Sequence, residues 1–228
     1  ANTCAYCGIR ADNKKVNRYR IPDDEILEVA RAMPDWQQGT IVLQSGEADS
    51  KKENERIGNL IRRIKEETPL AVTLSAGNRE KDVYAYWREC GMDRYLLRFE
   101  TSDPELFAQI HPDCTLEERI QCLKNLRALG VQVGSGFMIG IPGETTKTLA
   151  DKILLCRELD LDMIGIGPFI PHPDTPMGSE INIYDDDREM FFVALAVLRL
   201  FNPDAHIPAT TAFDAVFPNH EGRNRALQ

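Results

Sequence analysis

Cys4 and Cys7 are the residues near the start of the chain whose type and spacing could bind a metal or carry redox chemistry. A CxxC pair serves zinc sites, redox dithiols and iron–sulfur clusters alike. A redox dithiol of the thioredoxin kind follows a strand and opens a helix, whereas glycine, asparagine and lysine residues predict a loop here. A tetrahedral zinc site needs two more ligands nearby, and the sequence has no second CxxC and no close pair of histidines. Spacing alone leaves structural, zinc-binding and cluster-binding roles open.

Charged residues follow two of the predicted strands. Glu47 stands in the loop after the apolar run 40–44, and Arg98 and Glu100 are two residues apart near the end of a strand predicted over 94–99. Side chains two apart in a strand point to the same face of the sheet. Opposite charges in an otherwise apolar strand are costly unless they are paired or bind a ligand. These residues are therefore candidates for recognising a polar ligand.

A glycine-rich segment and a proline-rich segment mark two further strand ends. Four glycines lie between residues 134 and 143, more than a single tight turn needs, and prolines are concentrated in residues 168–176. Glycine lets a ligand approach the backbone closely because it has no side chain. We therefore expect both segments to line a binding site.

Helices and strands alternate along the whole chain, as hydrophobic periodicity and glycine or proline stops indicate. Helices are predicted over 23–33, 83–90, 116–129 and 190–201, around 57–64 and 149–156, and from 221 onward; strands are predicted over 40–44, 70–75, 94–99, 131–138, 163–167 and 207–211. Such alternation indicates a parallel sheet. No GxGxxG follows the first strand, and polar residues gather after the carboxyl ends of the strands. The pattern therefore favours an α/β fold, a parallel (β/α) TIM-type barrel, over a doubly wound open sheet. No linker is evident, and residues 1–228 are predicted to form one domain.

Composition excludes several classes of protein. The 228 residues carry a net charge of −9 and no basic stripe, whereas binding to nucleic-acid phosphates needs clustered lysine and arginine. No run of about 20 apolar residues predicts a transmembrane helix. The six cysteines are scattered apart from the CxxC pair, unlike the framework of a small disulfide-rich domain. We expect a cytoplasmic protein with neither nucleic acid nor membrane as a partner.

The cysteine segment resembles the cluster-binding loop of radical S-adenosylmethionine enzymes. Their pattern is CxxxCxxC with an aromatic residue before the last cysteine, and here Cys4, Tyr6 and Cys7 match its second half. The first cysteine would fall one residue before Ala1, and a full barrel would need one strand before Ala1 and another after Gln228, so the core is expected to be truncated at both ends. By this resemblance three thiolates hold a 4Fe–4S cluster, and S-adenosylmethionine binds its open iron through amino and carboxylate groups.

The resemblance extends to the strand ends and assigns cofactor-binding roles there. Ser45, Gly46 and Glu47 match the family segment that receives the methionine amino group, Glu100 matches the acid that binds the ribose, and Arg119 matches the arginine that helps to hold the carboxylate. The full set of implied cofactor-binding residues is Tyr6, Ser45, Gly46, Glu47, Ser75, Glu100, Arg119, Gly140 and Pro168. The last two belong to segments that line the adenine. The alternatives are an ordinary turn with an exposed acid at Glu47 and a surface salt bridge at Arg119.

A second set of polar residues is expected to line the interior of the barrel. The resemblance implies that Thr73, Arg98, Thr210 and Thr211 form an anion-receptive patch for substrate. For the threonines, good β-propensity with local hydrogen bonds is the alternative.

Five segments narrow the resemblance to one group of the family. LQSGE, YLLRFET, GFMIGIPGET, IGIGPFIPHPDTP and IPATTA are similar to the radical maturases of FeFe-hydrogenase, whose relatives are biotin synthase and methylornithine synthase. This implies an enzyme that cleaves S-adenosylmethionine reductively to a 5′-deoxyadenosyl radical. The implied substrate is a small or iron-bound, sulfur-containing precursor of the di-iron centre, and the implied partners are other maturation proteins and an electron donor. The alternatives are an enzyme like methylornithine synthase or biotin synthase, or a non-radical barrel with a structural, metal-binding CxxC.

Overall fold

The computed structural model of the protein describes residues 2–47, 49–217 and 221–228. The chain divides into two compact units. The first contains Lys14–Leu97 and Gln121–Val133, and the second contains Asn2–Asn13, Arg98–Ile120 and Gly134–Gln228. That residues 1–228 form one domain stays a prediction.

The first unit alternates helices with parallel strands. Its elements are α1 (Asp23–Ala32), a 3₁₀ turn (Met33–Trp36), β1 (Thr40–Gln44), α2 (Lys51–Glu67), β2 (Ala71–Ser75), α3 (Lys81–Glu89) and β3 (Arg94–Leu96). β1 pairs with β2 from Thr40↔Ala71 to Gln44↔Ser75, and β2 pairs with β3 at Thr73↔Arg94. Parallel neighbours place their carboxyl ends at one edge, so the residues that follow β1 and β2 lie side by side.

The core of the first unit explains why these elements form. Ile57, Leu60, Ile61 and Ile64 repeat at helical spacing on α2 and are all buried, as predicted. Ser50 begins this helix, since its hydroxyl accepts a hydrogen bond from the Glu53 N–H at 3.2 Å.

A second group of buried side chains stabilises the loop after β2. The rings of Tyr84, Trp87 and Tyr95 are fully buried and contact one another. Both tyrosine hydroxyls donate to the Gly77 carbonyl, at 2.7 Å from Tyr95 and 3.1 Å from Tyr84. Buried hydroxyls need such partners, and here they hold the backbone of Gly77 in place.

The second unit carries the remaining strand pair and most of the polar residues discussed below. Its elements are α4 (Pro104–Ile110), the start of α5 (Leu116–Ala128), most of β4 (Gln132–Ile139), α6 (Thr146–Glu158), β5 (Met163–Pro168), α7 (Glu189–Phe201), α8 (Thr211–Val216) and α9 (Glu221–Ala226). β4 and β5 are parallel, from Gly134↔Met163 to Ile139↔Pro168.

Two predicted strands differ from what the structure shows. The strand predicted over 94–99 ends at Leu96, and Glu100 takes a left-handed φ of 60°. The strand predicted over 207–211 is wrong: an isolated bridge joins Met163 and His206, and α8 begins at Thr211. The physical reason is Pro208, which has no N–H to donate to a strand ladder.

Besides α8, the helix α4 was not predicted. α4 begins at Pro104, directly after Asp103, whose carboxylate accepts from the N–H groups of Glu105 and Leu106 at 2.9 and 3.0 Å. Within the part of the chain that the structure describes, no helix combines the length and apolar character needed to cross a membrane.

Candidate functional site

The cysteine loop is held in place by backbone hydrogen bonds. Ala5 N–H donates to the Ile110 carbonyl at the end of α4, at 2.9 Å, and Ala5 C=O accepts from Met177 N–H at 3.2 Å. Cys4 and Cys7 themselves are half-buried, so neither residue is enclosed in the core.

His111, which the sequence analysis did not single out, lies directly against this loop. Its ring is buried, with Nδ1 3.2 Å from Cys4 Sγ and Nε2 3.0 Å from the Tyr6 hydroxyl. Burial, followed by the nearby Arg119 charge, lowers the pKa of His111 to about 3. The imidazole is therefore neutral, and its two nitrogens join the cysteine to the aromatic residue of the same loop. A separation of 107 residues from Cys4 left no sequence signal for this contact.

Tyr6 extends the connection to a buried carboxylate. Its hydroxyl lies 3.4 Å from Glu100 Oε1, and the same oxygen forms an ion pair with Arg98 Nε at 2.9 Å. Burial raises the pKa of Tyr6 well above its ordinary value, with a further contribution from the Glu100 charge, so the phenol stays protonated. The opposite charges of Arg98 and Glu100 are therefore paired, although they lie beyond the end of β3 and not on one face of a strand as predicted.

Glu100 has one carboxylate oxygen with no hydrogen-bond partner among the described residues. That atom, Oε2, is buried. A buried carboxylate oxygen is costly to leave unpaired, so this atom can accept a hydroxyl from a ligand. That property fits the ribose-binding role expected for Glu100.

Two glycines of β5 lie beside the predicted anion-binding residues, and only Gly167 is needed to leave room for its neighbour. A Cβ atom added at Gly165 would lie 4.0 Å from an Arg98 guanidinium nitrogen, and one added at Gly167 would lie 2.8 Å from the Thr210 hydroxyl. Thr210 Oγ1 also donates to the Ile166 carbonyl at 2.7 Å. The structure therefore places Arg98 and Thr210 along β5, whereas Thr211 begins α8 with its side chain exposed.

The end of β4 is held by a buried ion pair that was also not predicted. The Glu144 carboxylate accepts from Gly140 N–H at 3.1 Å and pairs with Lys152, whose ammonium donates to the Met138 carbonyl at 2.9 Å. Both charged side chains are completely buried. Asn182 completes the arrangement, since its Nδ2 donates to the Ile139 carbonyl at 2.8 Å.

This arrangement sets the conformation of Gly140, the predicted adenine-binding residue. Gly140 has a φ of 82°, and a Cβ there would lie 2.6 Å from Asn182 Nδ2. Pro168, the other predicted adenine contact, ends β5 opposite Ile139 and is buried.

The first unit brings together the predicted residues that follow β1 and β2. Ser45 N–H donates to the Ser75 carbonyl at 3.0 Å, and Ser45 Oγ lies 3.0 Å from the Gly46 carbonyl. Glu47 is half-buried, and Thr73 is buried within β2. Ser45 and Ser75 are thus neighbours at the carboxyl ends of β1 and β2, as the parallel register requires.

Arg119 lies near the start of α5 and is only 3% exposed. Its guanidinium contacts Cys114 Sγ at 3.5 Å, and its charge influences His111. A surface salt bridge, the alternative for this residue, is therefore wrong.

The donor chemistry of this loop fits part of an iron–sulfur site. Cys4 and Cys7 offer two thiolates, the ligands that such clusters prefer. Among residues 2–47, 49–217 and 221–228, no group of three or more histidine, cysteine, aspartate and glutamate side chains is arranged to hold a metal ion.

Comparisons with known proteins agree with this geometry. The profile of the Radical SAM superfamily matches residues 1–174. The chain is 45% identical over 225 residues to the FeFe hydrogenase maturase subunit HydE of Thermotoga maritima, which covers 99% of this chain and 63% of that protein. It is 28% identical over 207 residues to the biotin synthase of a Sulfurihydrogenibium species, covering 90% and 61%. The chain thus spans less than two thirds of the length of these curated relatives.

A solved structure identifies the fold. The crystal structure of methylornithine synthase (PylB) aligns with a TM-score of 0.86 at 23% identity, covering 99% of this chain and 66% of that chain. The predicted parallel (β/α) fold is thereby confirmed. Radical SAM enzymes use a 4Fe–4S cluster and S-adenosylmethionine. With a profile match over three quarters of its length and a thiol pair in the expected loop, this chain belongs to the Radical SAM superfamily.

Proposed function

We propose that the protein containing this chain cleaves S-adenosylmethionine reductively and acts in assembly of the FeFe-hydrogenase di-iron centre. The 45% identity to HydE over nearly the whole chain supports the maturation role. The observation that carries the chemistry is the connection from Cys4 through His111 and Tyr6 to Glu100, because it links a thiol pair to a carboxylate with an available oxygen.

The residues of the second unit suit the binding of a nucleoside. Glu100 Oε2 would accept a ribose hydroxyl, while the backbone around Gly140 and Pro168 would contact adenine. Cys4 and Cys7 would supply two of the thiolates for the cluster, which supplies one electron to S-adenosylmethionine when bound. Tyr6 would hold Glu100 in place, since its phenol remains protonated and next to the carboxylate.

The methionine part of the cofactor would meet a different set of residues. We assign the amino group to Ser45, Gly46 and Glu47 with Ser75 beside them, because a carboxylate and carbonyl oxygens accept hydrogen bonds from an ammonium. We assign the carboxylate to Arg119, a buried cation.

Arg98 and the threonines support an anionic substrate. The Arg98 side chain is one third exposed and lies along β5 with Thr210, so both can face a bound anion. For Thr73 and Thr211 the same role is proposed from the family resemblance alone. The proposed substrate is a small or iron-bound, sulfur-containing molecule with an anionic group. Other maturation proteins and an electron donor are the proposed partners. In the described structure the six cysteines are thiols and not disulfides, which fits the reducing cytoplasm.

A maturation assay tests the hydrogenase role. The full-length protein, with its cluster reconstituted, is added to an inactive hydrogenase and a maturation mixture that lacks only the HydE-type maturase. Hydrogen evolution is expected with the wild-type protein and not with Cys7→Ala. Conversion of dethiobiotin to biotin with no hydrogenase activation would contradict the assignment and favour the biotin synthase alternative.

A further inference from the structure

Gly77, just after β2, lies beneath the side chain of Glu47. Its φ of 83° is in the left-handed region, where residues other than glycine are strained. A Cβ atom added there would overlap Glu47 Cγ and Cδ and would lie 2.6 Å from Oε2. The absence of a side chain at Gly77 is therefore what allows Glu47 to take its position.

The backbone of Gly77 cannot easily move aside to relieve such an overlap. Its carbonyl accepts hydrogen bonds from the hydroxyls of Tyr95 and Tyr84, and Ala76 N–H donates to the Tyr95 oxygen at 3.2 Å. Both tyrosines are fully buried. Burial raises the pKa of Tyr95, and the Glu47 carboxylate adds to that rise, which is consistent with the carboxylate resting close to this group.

We propose that Gly77 is a positioning residue, whose bare backbone, held by Tyr84 and Tyr95, forms a seat that directs the Glu47 carboxylate toward the ammonium group of the cofactor. The inference rests on the proposed role of Glu47. It adds a residue that no resemblance assigned, and it makes the loop after β2 part of the recognition of the amino group.

Gly130 provides a matched control in the same unit. It also has a left-handed conformation, with a φ of 70°, but a Cβ atom there would meet no atom within 4 Å. Gly77→Ala and Gly130→Ala therefore share the backbone strain, and only the first displaces Glu47.

The test measures binding of S-adenosylmethionine to the full-length, cluster-loaded protein, through the change that the cofactor causes in the electron paramagnetic resonance spectrum of the reduced cluster. Loss of a charge-assisted hydrogen bond predicts a dissociation constant about ten- to a hundred-fold higher in Gly77→Ala. Gly130→Ala should bind as the wild type does. Equal affinities in the two variants would overturn the inference, whereas a wild-type protein that shows no spectral change would instead overturn the proposed function.

A double-variant cycle identifies Glu47 as the intermediary. In a Glu47→Ala background the overlapping atoms are gone, so adding Gly77→Ala should not weaken cofactor binding further. If Gly77→Ala alone fails to fold, the double variant should recover the stability of Gly130→Ala, because only the strain remains. Additive losses of affinity, or a double variant as unstable as the single one, would show that Gly77 acts independently of Glu47.

Discussion

Two buried polar networks in the second unit are built from similar groups but differ in how fully they are satisfied. The cysteine-loop network consists of Cys4, Tyr6, Arg98, Glu100 and His111, joined at 2.9–3.4 Å. It contains a buried carboxylate oxygen with no hydrogen-bond partner among the described residues and half-buried thiols.

The β4 anchor consists of Gly140, Glu144, Lys152 and Asn182. Its ion pair is completely buried, and both oxygens of Glu144 have partners within the chain. Burial raises the pKa of Glu144 and lowers that of Lys152, because desolvation disfavours both charges.

This difference indicates which network is expected to bind a ligand and which one stabilises the fold. The charged side chains of the anchor have their partners within the chain, so they stabilise the turn that shapes the Gly140 backbone. The cysteine-loop network keeps unsatisfied atoms where ligands are expected. Changes in the anchor should therefore act first on folding, and changes in the cysteine-loop network should act first on chemistry.

The largest expected effect comes from breaking the anchor. Lys152→Met leaves Glu144 buried without its partner and should lower the free energy of unfolding by about 3–5 kcal/mol. Urea denaturation of the full-length protein measures this change. Lys147→Met is the control on the same helix, since Lys147 pairs with Asp151 at the surface and should cost less than about 1 kcal/mol. A Lys152→Met protein as stable as this control would show that the anchor does not stabilise the fold.

The second prediction concerns the available oxygen of the cysteine-loop network. Glu100→Gln should weaken binding of S-adenosylmethionine about ten- to a hundred-fold, because an amide replaces a charged acceptor. Its free energy of unfolding should change by no more than about 1 kcal/mol, since Arg98 is partly exposed and keeps an amide oxygen as partner. Cofactor binding and urea denaturation on the same preparation decide this. Loss of stability with unchanged affinity would place Glu100 among the supporting residues.

The third prediction concerns His111. His111→Phe keeps an aromatic ring against Phe107, which stacks on His111 at 4.8 Å, but removes both nitrogens. With its proton on Nδ1, the neutral imidazole donates to the Cys4 sulfur and accepts from the Tyr6 hydroxyl at Nε2, and hydrogen bonds to cluster sulfurs raise the reduction potential. Loss of one such bond worth about 1.4 kcal/mol corresponds to a potential about 60 mV lower. A redox titration followed by electron paramagnetic resonance measures the shift, and His206→Ala, at an exposed histidine, is the control. Identical potentials in the His111→Phe and wild-type proteins would show that His111 does not influence the cluster.

The smallest expected effect belongs to Tyr6→Phe. This change removes a hydroxyl that lies 3.0 Å from His111 Nε2 and 3.4 Å from Glu100 Oε1, while the ring keeps its place against the apolar cluster that includes Ile110 and Phe169. Cofactor affinity should fall by about two- to five-fold, the loss of one weak hydrogen bond. Titration with S-adenosylmethionine checks this, and a loss as large as that in Glu100→Gln would show that Tyr6 contacts the cofactor directly.

The sequence was a good guide where local signals and packing agree. β1 has the predicted bounds, and α2 buries the predicted face of Ile57 and Ile64. α4 was missed although Asp103 followed by Pro104 is a recognisable helix start. The strand predicted over 207–211 is wrong because Pro208 has no N–H to donate to a strand ladder.

The supporting residues of the site were harder to find, for a physical reason. Lys152 occupies the apolar stripe of α6 with Leu149 and Cys156, so a charge in a buried face was a usable signal. His111 lies 107 residues from Cys4, and no local pattern announces a contact over that separation. The role of Gly77 likewise depends on the position of the Glu47 side chain, which the sequence does not indicate.

The formation of 5′-deoxyadenosine tests the central claim most directly. The full-length protein is purified without oxygen, reconstituted with iron and sulfide, reduced with dithionite and supplied with S-adenosylmethionine, and the product is measured by chromatography. We expect 5′-deoxyadenosine from the wild-type protein and none from Cys7→Ala. A cluster-loaded wild-type protein that forms no 5′-deoxyadenosine, or a Cys7→Ala protein that forms as much as the wild type, would contradict the account.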